Sequence, residues 1–290
     1  MSVPLRFVWH QGAVLSAFAR TALGAARSGR HREMQVPGRW IEAEVDPLPS
    51  ALLDAYIRHV GGDPASYRGQ VPPHLFPQWV FPLQVRALQD VTYPMQKVLN
   101  AGAGMTLRGP IPRGEPLRVR TRLDSVDDDG RRALLSFVAH TGTAAEPELL
   151  EARLQAFVPL GGGEKREKSE PARVPGEARE IGRWRLDPGA GLDFAKLTGD
   201  FNPVHWVPAW ARALGFRNVI LHGFSTYARA YEALVRARFA GAAGRLRTYE
   251  ARFTKPLVLP ASPGVFVDGD RVTVGMAPSA PAFMTGTYGV

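Results

Sequence analysis

The stretch from His222 to Phe239 constrains the fold more than any other. Phe224, Tyr227, Ala228, Tyr231 and Val235 fall at i, i+3, i+4, i+7 and i+11, a stripe that one face of an α-helix would bury. Arg229, Glu232 and Arg236 mark the opposite face, which reads as solvent-facing, with Glu232 and Arg236 spaced for a weak i,i+4 pair. Strand-like segments follow at Leu246–Phe253, Val265–Val267, Val272–Met276 and Phe283–Tyr288, with Asp268-Gly269 as a turn. A helix with one apolar face and a run of strands behind it buries that face most simply by having the sheet wrap around the helix.

The first half carries the same plan. A strand is expected over Met34–Val45, interrupted at Pro37-Gly38, then a helix over Leu48–Val60 that Gly61-Gly62 stops. A proline-rich passage, Val71–Pro77, leads to an apolar helix over Trp79–Leu88. Leu117, Val119, Thr121 and Leu123 then alternate with Arg118, Arg120 and Arg122, the period of a strand with one solvated face. Asp129-Gly130 marks a hairpin, Ala133–His140 returns, and Leu149–Val158 completes the run. His74 precedes the first central helix as His222 precedes the second, and Met105–Pro112 echoes Ala251–Leu257. The class is therefore α+β, a wrapped helix occurring twice. Residues 161–180, rich in Gly, Pro, Glu and Lys, are expected to be a linker between residues 1–160 and residues 181–290. The N-terminal segment Phe7-Val-Trp9…Val14-Leu15…Phe18, followed by Arg27, Arg30 and Arg32, reads as a surface helix packed on the first domain, with partner docking as the weaker reading.

Composition narrows the functional classes. With no cysteine, disulfides and thiolate metal sites are excluded, and a reducing cytoplasm suits the chain. A net charge of +9 suits a phosphate-bearing partner, but no basic stripe interleaved with aromatics points to nucleic acid. No apolar run is long enough to cross a membrane.

Chemistry concentrates in Leu197-Thr-Gly-Asp-Phe-Asn-Pro-Val-His205 and Leu221-His-Gly-Phe224. Pro203 rules out a continuing helix, so Asp200 to His205 form a compact loop in which Asn202 bonds the backbone. A carboxylate and an imidazole that share one water can move a proton near neutral pH, typically for ~10²–10⁴-fold in rate. The His222-Gly223 turn opens a helix whose first N–H groups are free for a developing negative charge, and Gly223 allows close approach. No further His or Glu stands at ligand spacing, so a zinc site is not expected. Ser225, in Gly-Phe-Ser-Thr, is not a nucleophile elbow.

Thr198–His205 followed by Ile220-Leu-His-Gly223 resembles the signature of the MaoC-like dehydratases, the (R)-specific enoyl-CoA hydratases of the hot-dog fold. The likeness covers roughly residues 190–290, including Arg252-Phe-Thr-Lys-Pro256, and is weak over 35–160. It implies a tandem, or double, hot dog whose first repeat is degenerate. Asp200 and His205 would be the catalytic pair and the Gly223 N–H the thioester donor. Asn202, His222 and Tyr231 would belong to the substrate site, with Tyr231 standing where relatives often carry a small polar residue. Arg252 and Lys255 would meet the coenzyme phosphates. In the first half Asp63 stands near the pair's first position, Arg68 replaces the histidine and Leu75 follows His74, while Trp79 and Phe81 would shape the acyl pocket. The implied activity is reversible hydration of a trans-2-enoyl thioester to the (3R)-hydroxyacyl thioester. It needs no cofactor or metal beyond coenzyme A, or acyl carrier protein, as part of the substrate, and no nucleic acid or membrane partner. A homodimer of double hot dogs, a hot-dog thioesterase and a non-catalytic acyl-thioester binder remain open.

Overall fold

The computed structural model describes residues 2–17, 35–88, 93, 98–161 and 170–290. Its strands are β1 (Ile41–Val45), β2 (Leu99–Leu107), β3 (Leu117–Asp128), β4 (Arg132–Gly142), β5 (Leu150–Pro159), β6 (Arg179–Arg183), β7 (Thr248–Phe253), β8 (Gly264–Asp268), β9 (Arg271–Gly275) and β10 (Ala282–Gly289). They form one sheet in the order β1-β3-β4-β5-β2-β7-β10-β9-β8-β6, and neighbours pair antiparallel throughout. From its own outer edge each half runs first, third, fourth, fifth, second. The two second strands, β2 and β7, join at the centre from Gly102↔Arg252 to Thr106↔Thr248. The echo between Met105–Pro112 and Ala251–Leu257 begins on these paired strands, so it marks a pseudo-twofold repeat. The double hot dog expected from the sequence is the observed fold.

The helices that position the site are α1 (Ser50–His59), α2 (Pro77–Ala87), α3 (Ala190–Thr198), α4 (Pro208–Ala213) and α5 (Gly223–Phe239). Tyr227, Ala228, Tyr231 and Val235 on α5 are buried as the stripe requires. The opposite face departs from expectation: Arg229 and Glu232 are buried too, and only Arg236 remains at the surface, reaching the Gly61 carbonyl at 3.3 Å. The first half covers this face, so α5 is enclosed all round and its buried charges need polar partners. On β3, Leu117, Val119, Thr121 and Leu123 face inward as their period dictates. On the outer face Arg120 and Arg122 flank the Trp40 ring, each 4.7 Å from its centre, a cation–π arrangement rather than a bare solvated row.

Two boundaries differ from the sequence reading. Residues 162–169 lie outside the described residues, but the rest of the expected linker is folded onto the second half. Val174 is buried, its N–H bonds the Ala280 carbonyl at 2.9 Å, and its own carbonyl accepts from Ser279 N–H at 2.9 Å. The N-terminal 3₁₀ helix Leu5–Gln11 packs chiefly on α3 of the second half, not on the first domain. The last carbonyls of α3 have no intrahelical partners, and the buried Gln11 amide donates to Leu197 O at 3.0 Å. Val3 N–H bonds Asp193 at 3.0 Å and the Lys196 ammonium bonds Val3 O at 2.9 Å. Gln78 of α2 donates to Gln11 Oε1 at 2.7 Å and ties this segment to the first half as well. Arg27, Arg30 and Arg32, expected to follow, lie outside the described residues. No described helix is long and apolar enough to cross a membrane.

Candidate active site

α3 ends at Gly199, whose φ of 82° is the left-handed conformation a helix stop favours in glycine. The chain then turns tightly. Asn202 N–H bonds Asp200 Oδ1 at 3.3 Å, and the Asn202 side chain caps the short 3₁₀ helix Pro203–His205 by accepting from Val204 N–H at 3.2 Å. His205 Nδ1 bonds the Ile220 carbonyl at 2.9 Å. A carbonyl only accepts, so Nδ1 carries the proton and Nε2 keeps its lone pair. Ile220 N–H in turn bonds Val204 O at 3.2 Å, so the excursion 206–219, with α4, leaves and returns at the histidine.

His222 stands at the N-cap position of α5 and is buried, its ring stacked on His205 with centroids 3.6 Å apart. Its Nε2 donates to the Asp200 backbone carbonyl at 2.9 Å and lies 3.8 Å from Asp200 Oδ2. Its Nδ1 is buried with no hydrogen-bond partner. Burial, then the His205 ring, push the His222 pKa down to about 3; burial also lowers that of His205, against the opposing Asp200 carboxylate. Both rings are thus neutral near pH 7, and His205 Nε2 is free to accept a proton. Asp200, with a side chain one-third exposed, supplies the charge and the access.

Gly223 opens α5 directly after His222. A Cβ there would lie 3.0–3.1 Å from three ring carbons of Phe253, which covers the helix start from β7. The structure therefore gathers Asp200, Asn202, His205, His222 and Gly223. It does not gather the other three residues expected at the site. Tyr231 is fully buried, donating to the Ala243 carbonyl at 3.3 Å, with its ring 4.9 Å from that of His74. Arg252 is exposed, and strand alternation puts it on the face away from Gly223, since its neighbour Phe253 faces the helix. Lys255 is exposed just beyond β7 and has no side-chain bond to the loop. Trp79, expected in the acyl pocket, instead donates its indole N–H to Thr141 at 3.0 Å in the first core.

Asp200, His205 and His222 each bring one potential metal-ligand atom within 4.8 Å of the others, a grouping that sequence spacing did not suggest. The His222 nitrogen facing Asp200 carries the proton given to the backbone carbonyl. Facing Asp200, that leaves the carboxylate itself and His205 Nε2 to accept a hydrogen bond. The same two groups suit a water molecule.

Gly191 escaped the sequence reading. A Cβ on it would overlap the His205 carbonyl oxygen, so α3 admits the histidine loop only because position 191 has no side chain. Gly191→Ala should displace the loop, costing most of the activity and lowering the unfolding temperature; retention of both would show that the loop does not depend on this contact. His59, pushed to about 3 by burial and then by Arg229, shares the depressed state of His222. Each takes up a proton near 6.5 when unfolded but only near 3 when folded. Their contribution to stability is full above about pH 6.5 and is lost progressively as pH falls toward 3, and urea midpoints measured across that window should fall accordingly.

The first half repeats this frame without its reactive groups. Gly61, φ 89°, follows Tyr56 by five residues as Gly199 follows Phe194. The 3₁₀ helix Pro64–Tyr67 ends five residues after Gly62, as His205 stands five after Asp200. The His74 ring lies 5.4 Å from Tyr56 and 6.2 Å from Tyr67, where His222 lies 4.9 Å from Phe194 and 3.6 Å from His205. The counterparts of Asp200 and His205 are therefore Gly62 and Tyr67, not Asp63 and Arg68. Asp63 instead caps the 3₁₀ helix, accepting from Ala65 N–H at 2.9 Å.

Comparison with known proteins agrees with this architecture. A family model described as MaoC like domain matches residues 172–267. The chain is 28% identical over 245 residues to 3-hydroxyacyl-thioester dehydratase X of Mycobacterium tuberculosis, covering 82% of this chain and 84% of that protein. It is 30% identical over 186 residues to enoyl-CoA hydratase ChsH3 of the same organism, covering 63% of this chain and 61% of that one. The crystal structure of HtdX from Mycobacterium tuberculosis superposes with a TM-score of 0.68 at 25% identity, covering 86% of this chain and 99% of that one. A structure described as a MaoC-like dehydratase gives a TM-score of 0.71 at 16% identity, covering 89% and 98%. Residues 172–267 of this chain match the MaoC-like domain, and over most of its length the chain is similar in sequence to 3-hydroxyacyl-thioester dehydratase X and in fold to a MaoC-like dehydratase.

Proposed function

We propose that this chain reversibly adds water to a trans-2-enoyl thioester, giving the (3R)-3-hydroxyacyl thioester. The observation that carries the reading is the neutral His205 Nε2, held unprotonated by its Nδ1 bond to Ile220 O, in one loop with Asp200 and beside the start of α5. Asp200 and His205 orient a water against C3. As its oxygen bonds to C3, one of its protons is taken up by the pair, and Asp200 returns a proton to C2. Negative charge passes to the thioester oxygen, where the Gly223 N–H and the positive end of α5 meet it. Water addition of this kind needs no redox group, and coenzyme A enters only as part of the substrate. Lys255 remains a candidate for its phosphates; Arg252, on the other face of the sheet, does not.

The test follows the ultraviolet absorbance of the conjugated enoyl thioester while free thiol is measured alongside. Loss of absorbance without thiol release supports hydration; stoichiometric thiol release would make the protein a thioesterase. The depressed His205 pKa carries a further expectation, since His205 stays neutral below the ordinary histidine range. The acid limb attributable to it in the kcat/KM profile should lie below pH 6.5, and a His205 limb at or above that value would contradict the burial-lowered pKa of its ring.

A further inference from the structure

Glu232 is a buried acid, 2% exposed, on the second-half helix α5, yet its partners all belong to the first half. Its Oε1 accepts from Tyr67 O–H at 2.8 Å and from His74 Nε2 at 2.9 Å. With Nε2 donating, His74 Nδ1 accepts from Tyr56 O–H at 3.0 Å, which completes a relay of four buried groups. A Cβ built on Gly62 would lie within 2.6 Å of both Glu232 carboxylate oxygens. Gly62 is the counterpart of Asp200, Tyr67 of His205 and His74 of His222. The Glu232 carboxylate thus occupies the space into which a side chain at the Asp200-equivalent position would project.

We propose that Glu232 supplies, from the opposite repeat, the carboxylate the first-repeat site has lost, and that this crossed contact makes Glu232 a positioning residue for the catalytic helix. The relay is closed to solvent and so takes no substrate. Its use is mechanical. Glu232 and Gly223 sit on the same α-helix, nine residues and about 13 Å apart. One turn nearer Gly223, Arg229 makes a second tie to the first half, through Nη2 to His59 Nε2 at 3.1 Å, while its Nε bonds Ser225 Oγ at 3.3 Å. Two anchors on one face fix both the rotation and the axial position of α5, and with them the aim of the Gly223 N–H. The first repeat has exchanged chemistry for a clamp. The catalytic consequence rests on the role given to Gly223 above; the crossed carboxylate does not.

The experiment compares Glu232→Ala, Glu232→Gln, Gly62→Asp and the double variant Gly62→Asp/Glu232→Ala. Each full-length protein is measured for unfolding temperature and for kcat and KM on an enoyl thioester. Glu232→Ala deprives the Tyr67 O–H and the His74 Nε2–H of their buried acceptor and should lower the unfolding temperature by roughly 10 °C. It should also lower kcat by roughly 10–100-fold with little change in KM, because a misaimed donor fails in the transition state. Glu232→Gln keeps an acceptor in place and should retain most of kcat. Gly62→Asp alone overlaps Glu232 and should be the least stable variant. In the double variant the carboxylate introduced at position 62 re-partners Tyr67 and His74 without touching α5, so stability should recover while kcat stays low. A double variant no more stable than Gly62→Asp alone would overturn the crossed-carboxylate assignment, whatever the reaction catalysed. Wild-type kcat in Glu232→Ala, or a loss in Glu232→Gln as large as in Glu232→Ala, would overturn the positioning role.

Discussion

Asp200→Asn should lower the hydration rate by ~10²–10⁴-fold while leaving the unfolding temperature close to that of the parent. The Asp200 carboxylate is one-third exposed and its one backbone bond, from Asn202 N–H, is long at 3.3 Å, so the fold depends little on its charge. The proposed reaction should depend on it heavily, since it is the carboxylate beside the neutral His205 Nε2. His205→Ala should lose activity on the same scale and stability as well, because it removes the stack on His222 and the bond to Ile220 O. In the proposed mechanism the two side chains address one water, so the double variant should lose little more than the worse single one. Losses that multiply would mean that they act at separate steps. Circular dichroism with steady-state rates on the three proteins makes the comparison.

The second large effect is at Gly223. Any side chain there must displace the Phe253 ring, three of whose carbons lie 3.0–3.1 Å from the position its Cβ would take. Gly223→Val should shift either that ring or the start of α5 and withdraw the N–H from the thioester oxygen. A single lost oxyanion donor costs roughly 3–4 kcal/mol, about 10²–10³-fold in kcat. Gly223→Ala paired with Phe253→Ala separates the causes, since shortening residue 253 relieves the crowding. Recovery of kcat in that pair identifies the fault as steric. Failure to recover would place the loss in the backbone conformation of residue 223 itself.

Local patterns convey the elements of this fold and the loop that carries its chemistry. The period-two run on β3, the Asp129-Gly130 turn and the stripe on α5 depend on neighbours in sequence, and each reappears in the structure. Asp200, Asn202 and His205 are legible for the same reason, since one tight turn brings them together. What sequence does not convey are contacts across the repeats. Arg229 and Glu232 read as solvent-facing because their helix face looks polar, and nothing local announces that Tyr67, His74 and His59 cover it. The family resemblance assigns Tyr231 to the substrate site, but its direction is set by packing on Tyr249 and His74. The first-half pair reads one residue out of place because Asp63 resembles Asp200 in kind, whereas the left-handed glycine, which sets the true register, is recognisable only by its φ. Gly191 gives no signal at all, since the neighbour that forbids a side chain there is fourteen residues away.

The central claim is that water is added at C3 by the loop 200–205, and isotopic oxygen tests it most directly. A trans-2-enoyl-CoA incubated with the protein in ¹⁸O-enriched water, then analysed intact by mass spectrometry, should carry one ¹⁸O in the 3-hydroxyl of an unbroken thioester. The Asp200→Asn protein should leave the substrate unlabelled. Label found instead in a free carboxylic acid, or equal labelling by the Asp200→Asn protein, would contradict the account.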